Sequence, residues 1–513
     1  MLFSSPVFVF LFLPLVLGLY FVVHPRLRNA LLLVASLFFY AWGEPQMVVV
    51  MLLSILANWG FGLWLAAVRE GGRGRLVVAW ATVFNLGLLI FFKYADWLWS
   101  VAGSALVALG ALEAPPPPVA TLIPAGSAWR DALVDPSGTI HKPIGISFFT
   151  FQAFSYVIDV YRRDAPVQKN PLDFGLYVSL FPQLIAGPIV RYKDVAEQIL
   201  ARAVTREGFA YGVRRFVVGL AKKMLVANVV ARAVDGWDNG IPGIFAIPAA
   251  ELPPSVAWLG IVCYTLQIYF DFSAYSDMAI GLGHMLGFRF LENFQWPYVA
   301  RSVTEFWRRW HISLSTWFRD YLYIPLGGNR LGPAVTYRNL LLVFFLCGLW
   351  HGASFSFVVW GLYHGAFLVV ERVGLGAFLE RRPAVLRHAY TLLVAMVGWV
   401  FFRAHDLEHA LGYLQRMFDV RALFGVEVGR PAVHHVDLWL DPLLATVIVA
   451  GVVGSTPWVA KLAGWHRRRE QAGPSAAGLG LEVAGLAAIA ALFALSACEL
   501  AAGGYNPFIY FRF

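Results

Sequence analysis

Charge is what this sequence lacks most. Only 14% of its 513 residues are Asp, Glu, Lys or Arg, and 59% are apolar, against about 25% and roughly 45 to 50% in a soluble domain. Too few polar side chains remain to coat a water-facing surface, and a mean hydropathy of +0.64 agrees. An ordinary soluble globule is excluded. Cysteine is scarce as well: Cys263, Cys347 and Cys498 stand far apart in apolar sequence, which fits core positions and neither a disulfide framework nor a zinc site. Also missing are a Walker loop, a dinucleotide fingerprint and a serine nucleophile elbow. The net charge of +9 comes in short clusters between apolar runs, not on the single basic domain of a nucleic-acid binder. Under the positive-inside rule such clusters mark loops facing anionic lipid.

What is present is apolar sequence in long runs. Stretches able to enter or cross a bilayer lie near 6–23, 30–42, 47–68, 76–92, 144–160, 174–190, 208–230, 255–270, 339–350, 354–370, 389–402, 441–460 and 479–502. Lipid admits only helices or closed barrels, and these runs lack the alternation of barrel strands. An all-α polytopic membrane protein follows, with a count of about ten to thirteen crossings. The stretches 30–42 and 339–350 are short, so some helices should be tilted, re-entrant or interfacial. Arg26 and Arg28, then Arg69, Arg73 and Arg75, then Arg467, Arg468 and Arg469 mark loops placed in the cytoplasm. The first apolar run has no basic n-region or cleavage site and reads as a retained span. The longest weakly charged connection, about 99–141, contains Pro115 to Pro118 and is expected on the outer side with polyproline character. No repeat and no domain boundary is visible, so residues 1–513 read as one domain.

Three stretches hold polar groups that lipid disfavours. In 265–297, Gln267, Asp271 and Tyr275 recur every four residues on one helix face, with Asp277 off that stripe; a hydrogen-bonded seam between helices outweighs catalysis there. In 302–330, a single helix would set Glu305 against Arg308 and Arg309, and would align Trp307, His311 and Ser315 in another row. Taken alone, this is an interfacial helix with Trp anchors. In 345–365, His351 lies in so apolar a run that its imidazole should be neutral and able to accept a proton. Gly348 and Gly352 leave room beside it for a substrate or another backbone. His364 lies 13 residues further on, and one continuous helix would place the two rings on different sides. No metal site is expected.

These residues stand in longer motifs: KPIGISFFTFQAFSYVIDVYR (142–162), FPQLIAGPIVRY (181–192), YFDFSAYSDMAIGLG (269–283), TEFWRRWHISLSTWFRDYLYIPLGGNR (304–330), GLWHGASF (348–355) and NPFIYFRF (506–513). On them the chain resembles the membrane-bound O-acyltransferases, most closely those acting on alginate, with a motif-rich core over 142–365. The resemblance implies a ring of transmembrane helices around a funnel or tunnel where a cytoplasmic acyl thioester meets an acceptor from the outer side. It implies His351 as the catalytic histidine and His311 as the second functional one. Trp310, Ser315, Asp320 and Asn329 are implied as substrate-binding or supporting positions, together with Trp350, Glu305 and Arg308. It further implies acetyl-CoA as donor, no bound cofactor, a periplasmic acetyltransferase or polysaccharide-modification protein as partner, and a bacterial inner membrane. The expected reaction is O-acetylation of an exopolysaccharide such as alginate, with cellulose, peptidoglycan or teichoic acid as alternative acceptors. From another class, a transporter with Asp271, Asp277, His311 and His351 as a relay is the alternative, though it lacks an inverted repeat.

Overall fold

Apolar runs punctuated by Pro and Gly fold as helices throughout the computed structural model of the protein, which describes residues 1–68, 72–124, 126–127, 130–236, 240–419, 435–471 and 476–507. Arg69, residues 508–513 of the last motif and the side chains of Arg467, Arg468 and Arg469 lie outside the described residues. Among those described there are two isolated β-bridges and no β-strand. Cα proximity groups the chain into two units.

The first unit holds Met1, residues 7–209 and residues 283–290. Its helices are α1 (Leu13–Val22), α2 (Arg28–Ala41), α3 (Val48–Val68), α4 (Gly74–Leu89), α5 (Ala95–Ala108), α6 (Ile146–Arg162), α7 (Pro171–Ser179) and α8 (Tyr192–Leu200). α3 and α4 pack on each other and on α6, and α2 packs on α7. Asn58 of α3 and Asn85 of α4, both 0% exposed, donate to each other's side-chain oxygens at 3.1 and 2.8 Å. Such reciprocal pairing removes the cost of burying two amides in an apolar layer. Residues 180–190 leave the helix yet are buried throughout, because Pro182 and Pro188 cannot extend a helical ladder. Irregular backbone at this depth is tolerated where protein surrounds it, and Tyr177 helps by donating to the Val190 carbonyl at 3.1 Å. Gly145, before α6, has φ +77°, and a Cβ there would lie 2.9 Å from the Leu184 oxygen; only glycine fits. The weakly charged connection expected from about residue 99 begins later. A π-turn at Ile90–Tyr94 carries α4 into α5, which continues to Ala108, and the Pro116 ring packs where Gly103 has no side chain.

The second unit holds residues 2–6, 210–282 and 291–513. It comprises α9 (Arg206–Ala221, whose first turn belongs to the first unit), α10 (Asn228–Asp235), α11 (Pro254–Met285), α12 (Val303–Arg309), α13 (Ile312–Phe318), α14 (Pro333–His351), α15 (Phe355–Val370), α16 (Ala384–Arg403), α17 (Leu407–Met417), α18 (Pro442–Gly454), α19 (Trp458–Gln471) and α20 (Ala476–Ala501). α11 is central: 78% of its most apolar stretch is buried. Its two carboxylates and Gln267 are paired. Asp271 meets Lys223 at 2.7 Å, Asp277 meets both Arg215 and Lys222 at 2.6 Å, and Gln267 donates to Asp235 at 3.0 Å. Gln267 and Asp271 therefore belong to the seam that their spacing suggested, and Asp277, off that stripe, is paired as well, each carboxylate facing a cation from the α9–α10 region.

Among the described residues, seven helices are long and apolar enough to cross a membrane: 48–68, 74–108, 254–285, 333–351, 355–380, 384–403 and 478–501. The fold class is all-α and polytopic, but this number is below the ten to thirteen expected from apolar runs. Runs 6–23 and 441–460 form shorter helices, and 174–190 becomes one short helix and a buried turn. Cys498 is exposed on α20, not in the core; Cys263 and Cys347 are buried as expected.

Candidate active site

The stretch 302–330 does not form the single amphipathic helix that its pattern suggested. α12 starts at a local signal: Ser302 Oγ accepts the Glu305 amide at 3.0 Å, and the Glu305 carboxylate accepts the Arg301 amide at 2.8 Å, an arrangement close to a capping box. A tertiary contact adds to it. The buried Glu371 carboxylate accepts from the Val303 and Thr304 amides at 2.6 and 2.9 Å and from the Thr304 hydroxyl at 2.6 Å, where the helix dipole favours negative charge. The helix ends at Arg309, and His311 adopts the left-handed conformation, φ +45° and ψ +54°. A β-carbon makes that region costly, and residues held there mark sites where surrounding structure dictates the backbone.

Here the surrounding structure is Asn293. Its carbonyl oxygen accepts the Ile312 amide at 3.0 Å. Its side-chain Oδ1 accepts the Ser313 amide at 3.1 Å and the Ser313 hydroxyl at 2.9 Å, and lies 3.2 Å from His311 Nδ1. A backbone N–H can only donate, so the Asn293 atom is the oxygen and His311 must donate to it from Nδ1. Nε2 then carries the lone pair, and it is buried with no partner among the described residues. Burial pushes this imidazole down to about 3, which keeps it neutral at ordinary pH. Asn293 is the residue that sequence reasoning missed. It lies 18 positions before His311 and nothing in its neighbourhood marks it.

α14 and α15 form a close hairpin. Gly348 and Gly361 face each other: a Cβ on Gly348 would lie 2.3 Å from the Phe357 oxygen, and one on Gly361 would lie 2.2 Å from the Phe344 oxygen. Gly352 meets the Phe357 ring. The two glycines beside His351 therefore admit a neighbouring helix, as small residues do in membranes, and not a substrate. At the end of α14, the His351 ring, 6% exposed, lies 4.9 Å from Trp350 and 5.0 Å from both Trp360 and Phe402. His364 belongs to the other arm of the hairpin, so the expectation that its ring points away from His351 fails: both contact Trp360, at 5.0 and 5.4 Å.

The structure brings the two expected catalytic histidines to one side chain. The Trp350 indole lies 6.1 Å from His311 and 4.9 Å from His351. Phe272 and Phe294 complete the wall beside His311, and Trp310 stacks into the same aromatic cluster, 4.8 Å from Trp399 and 5.1 Å from Phe294. The remaining candidates are elsewhere. Glu305 pairs with Arg309 at 2.8 Å, while Arg308 turns away to line a cavity of about 250 Å³ with Arg319, Arg372, Ser315, Trp307 and Cys347. Neither His311 nor His351 lines that cavity. Asp320 pairs with its neighbour Arg319 at 2.7 Å, and Asn329 is exposed in a turn.

Residues 162–404 match the model of the MBOAT, membrane-bound O-acyltransferase family. The chain is 40% identical to the probable alginate O-acetylase AlgI of Azotobacter vinelandii, over the whole of both chains. It belongs to the membrane-bound O-acyltransferase family. The probable alginate O-acetylase AlgI of Pseudomonas aeruginosa is likewise 40% identical over the full length of both. The peptidoglycan O-acetyltransferase of Helicobacter pylori is 35% identical over 88% of this chain and 86% of its own. The protein is thus an acyltransferase of the membrane, and the transporter alternative is set aside. In this acyltransferase the matched region contains α11 to α15 and both buried histidines.

Proposed function

We propose that this acyltransferase moves an acetyl group from acetyl-CoA toward O-acetylation of an exopolysaccharide, alginate being the first choice, at a bacterial inner membrane. The observation that carries the reading is the pair of buried imidazoles, His311 and His351, against the single indole of Trp350. An imidazole packed among aromatic rings suits removal of a proton from a hydroxyl. His351 takes the acceptor's proton as its oxygen attacks the thioester carbonyl. The C–S bond then breaks, and the imidazolium returns its proton to the CoA sulfur, which leaves as the thiol while His351 is restored to its neutral form. His311 orients the acceptor through its Nε2 lone pair.

The cavity lined by Arg308, Arg319 and Arg372 supports a polyanionic donor. Its arginines are exposed, and its inner wall reaches buried Cys347, one helical turn before His351. Trp307 stands between, 5.7 Å from Trp360. Guanidinium groups at such a rim match the phosphates of CoA. The immediate acceptor is a polysaccharide hydroxyl or a periplasmic acetyltransferase that relays the group, and relatives named for alginate and for peptidoglycan leave both polymers in the test.

The test is acetyl-CoA cleavage and polymer acetylation by His351→Ala protein that still inserts and unfolds cooperatively. A loss of about 10²- to 10⁴-fold is expected. Wild-type turnover in such a variant removes the assignment.

A further inference from the structure

A second polar cavity, of about 710 Å³, lies in the first unit, lined by Tyr20, residues 25, 26 and 28–30, Asn170, Leu172, Asp173 and residues 199–203. Three guanidinium groups reach it. Arg28 lies 4.9 Å over the Tyr20 ring and donates to the Tyr20 carbonyl at 3.1 Å. Arg202 is held by the Tyr20 hydroxyl at 3.1 Å and by Asn29 at 2.7 Å, and its Nη2 is buried without a partner. Arg26 is exposed on the same wall. The one carboxylate of the cavity, Asp173, accepts from Asn29 at 2.7 Å and from Asn170 at 2.8 Å, and acts on Arg202 only through space. None of the three arginines forms an ion pair among the described residues.

The cavity wall also carries apolar residues turned outward. Leu172 is 52% exposed and Leu200 is 70% exposed, and Val22 and Leu27 beside it are 84% and 58% exposed. Cations on the cavity wall beside bare aliphatic groups match an amphiphile with an anionic head. Arg26 and Arg28 belong to a loop read as cytoplasmic, the side where anionic lipid attracts clustered arginines. We propose that this cavity binds the phosphate headgroup of an anionic phospholipid, its acyl chains lying along Leu172 and Leu200. Its lining includes neither histidine, and the proposal does not depend on the acceptor or donor of the acyl transfer.

The experiment uses the full chain, delipidated in a neutral detergent, with thermal unfolding and native mass spectrometry as readouts. Phosphatidylglycerol is expected to raise the unfolding temperature and remain bound, while phosphatidylcholine does neither. Arg26→Gln is expected to weaken phosphatidylglycerol binding about fivefold and Arg26→Gln/Arg28→Gln about twenty-fivefold, from the usual contribution of one arginine at an anionic surface. Arg330→Gln, an exposed arginine in the second unit, should leave it unchanged. Arg26 makes no side-chain bond among the described residues, so its single variant tests the site even where the double variant unfolds. The proposal is overturned by equal responses to the two lipids, by full phosphatidylglycerol binding in folded Arg26→Gln, or by an equal loss in Arg330→Gln. It is also overturned if inorganic phosphate or CoA reproduces the shift, which would make the ligand a soluble phosphate.

Discussion

Gly348→Ala tests the hairpin that carries His351. The new Cβ would lie 2.3 Å from the Phe357 oxygen and 3.3 Å from the Gly361 Cα, and both are backbone atoms that no rotamer change can move. Restoring ordinary contact near 3.4 Å requires α14 and α15 to part by about 1 Å, and overpacking of this kind costs about 1 to 3 kcal/mol. His351 is three residues along the same helix, so the displacement is passed to its ring. A shift of about 1 Å at reacting groups lowers rate by about 10²-fold. Unfolding in detergent and acetyl-CoA turnover measure the two effects on one preparation. Gly361→Ala, which would meet the Phe344 oxygen at 2.2 Å, should reproduce both losses. Gly480→Ala on α20, with nothing within 4 Å, should lose neither. Wild-type stability and turnover in both hairpin variants would refute the close contact and the argument built on it.

Two further outcomes follow from buried polar groups. Asn58→Leu and Asn85→Leu should each destabilise the first unit by about 0.6 to 1.7 kcal/mol, and the double variant should cost less than the two together because no amide is left unpaired; additive losses in a denaturation series would count against the pair. Because burial holds His311 near 3 in the folded protein, below about 6.5 when unfolded, the unfolded chain binds more protons between those values. Stability contributed by this group is complete above pH about 6.5 and falls as pH drops toward 3. His311→Gln should therefore flatten the difference in unfolding temperature between pH 7 and pH 5, and an unchanged difference would mean that other groups set it.

Much of the fold was legible in the string because burial in lipid leaves a strong compositional trace. Helical class, several of the apolar spans and the Gln267–Asp271 face of α11 follow from hydropathy and four-residue spacing. Less legible were interruptions. The run 174–190 looks continuous, yet Pro182 and Pro188 turn it into buried irregular backbone, and the pattern of 302–330 hides a break at His311. Hydropathy measures transfer to lipid and carries no information on where a backbone ladder stops. His364 was read on one helix with His351, although Gly352 and the residues after it fold the segment into a hairpin.

By itself the sequence determined that the chain is helical, membrane-embedded and a membrane-bound O-acyltransferase, and it marked two histidines, since these depend on composition and local motif. Only the tertiary structure decided that both rings meet Trp350, that Asn293 sets the His311 tautomer, and that Gly348 serves helix contact. Those facts depend on which distant segments touch, and long-range packing leaves no local signature in the order of residues.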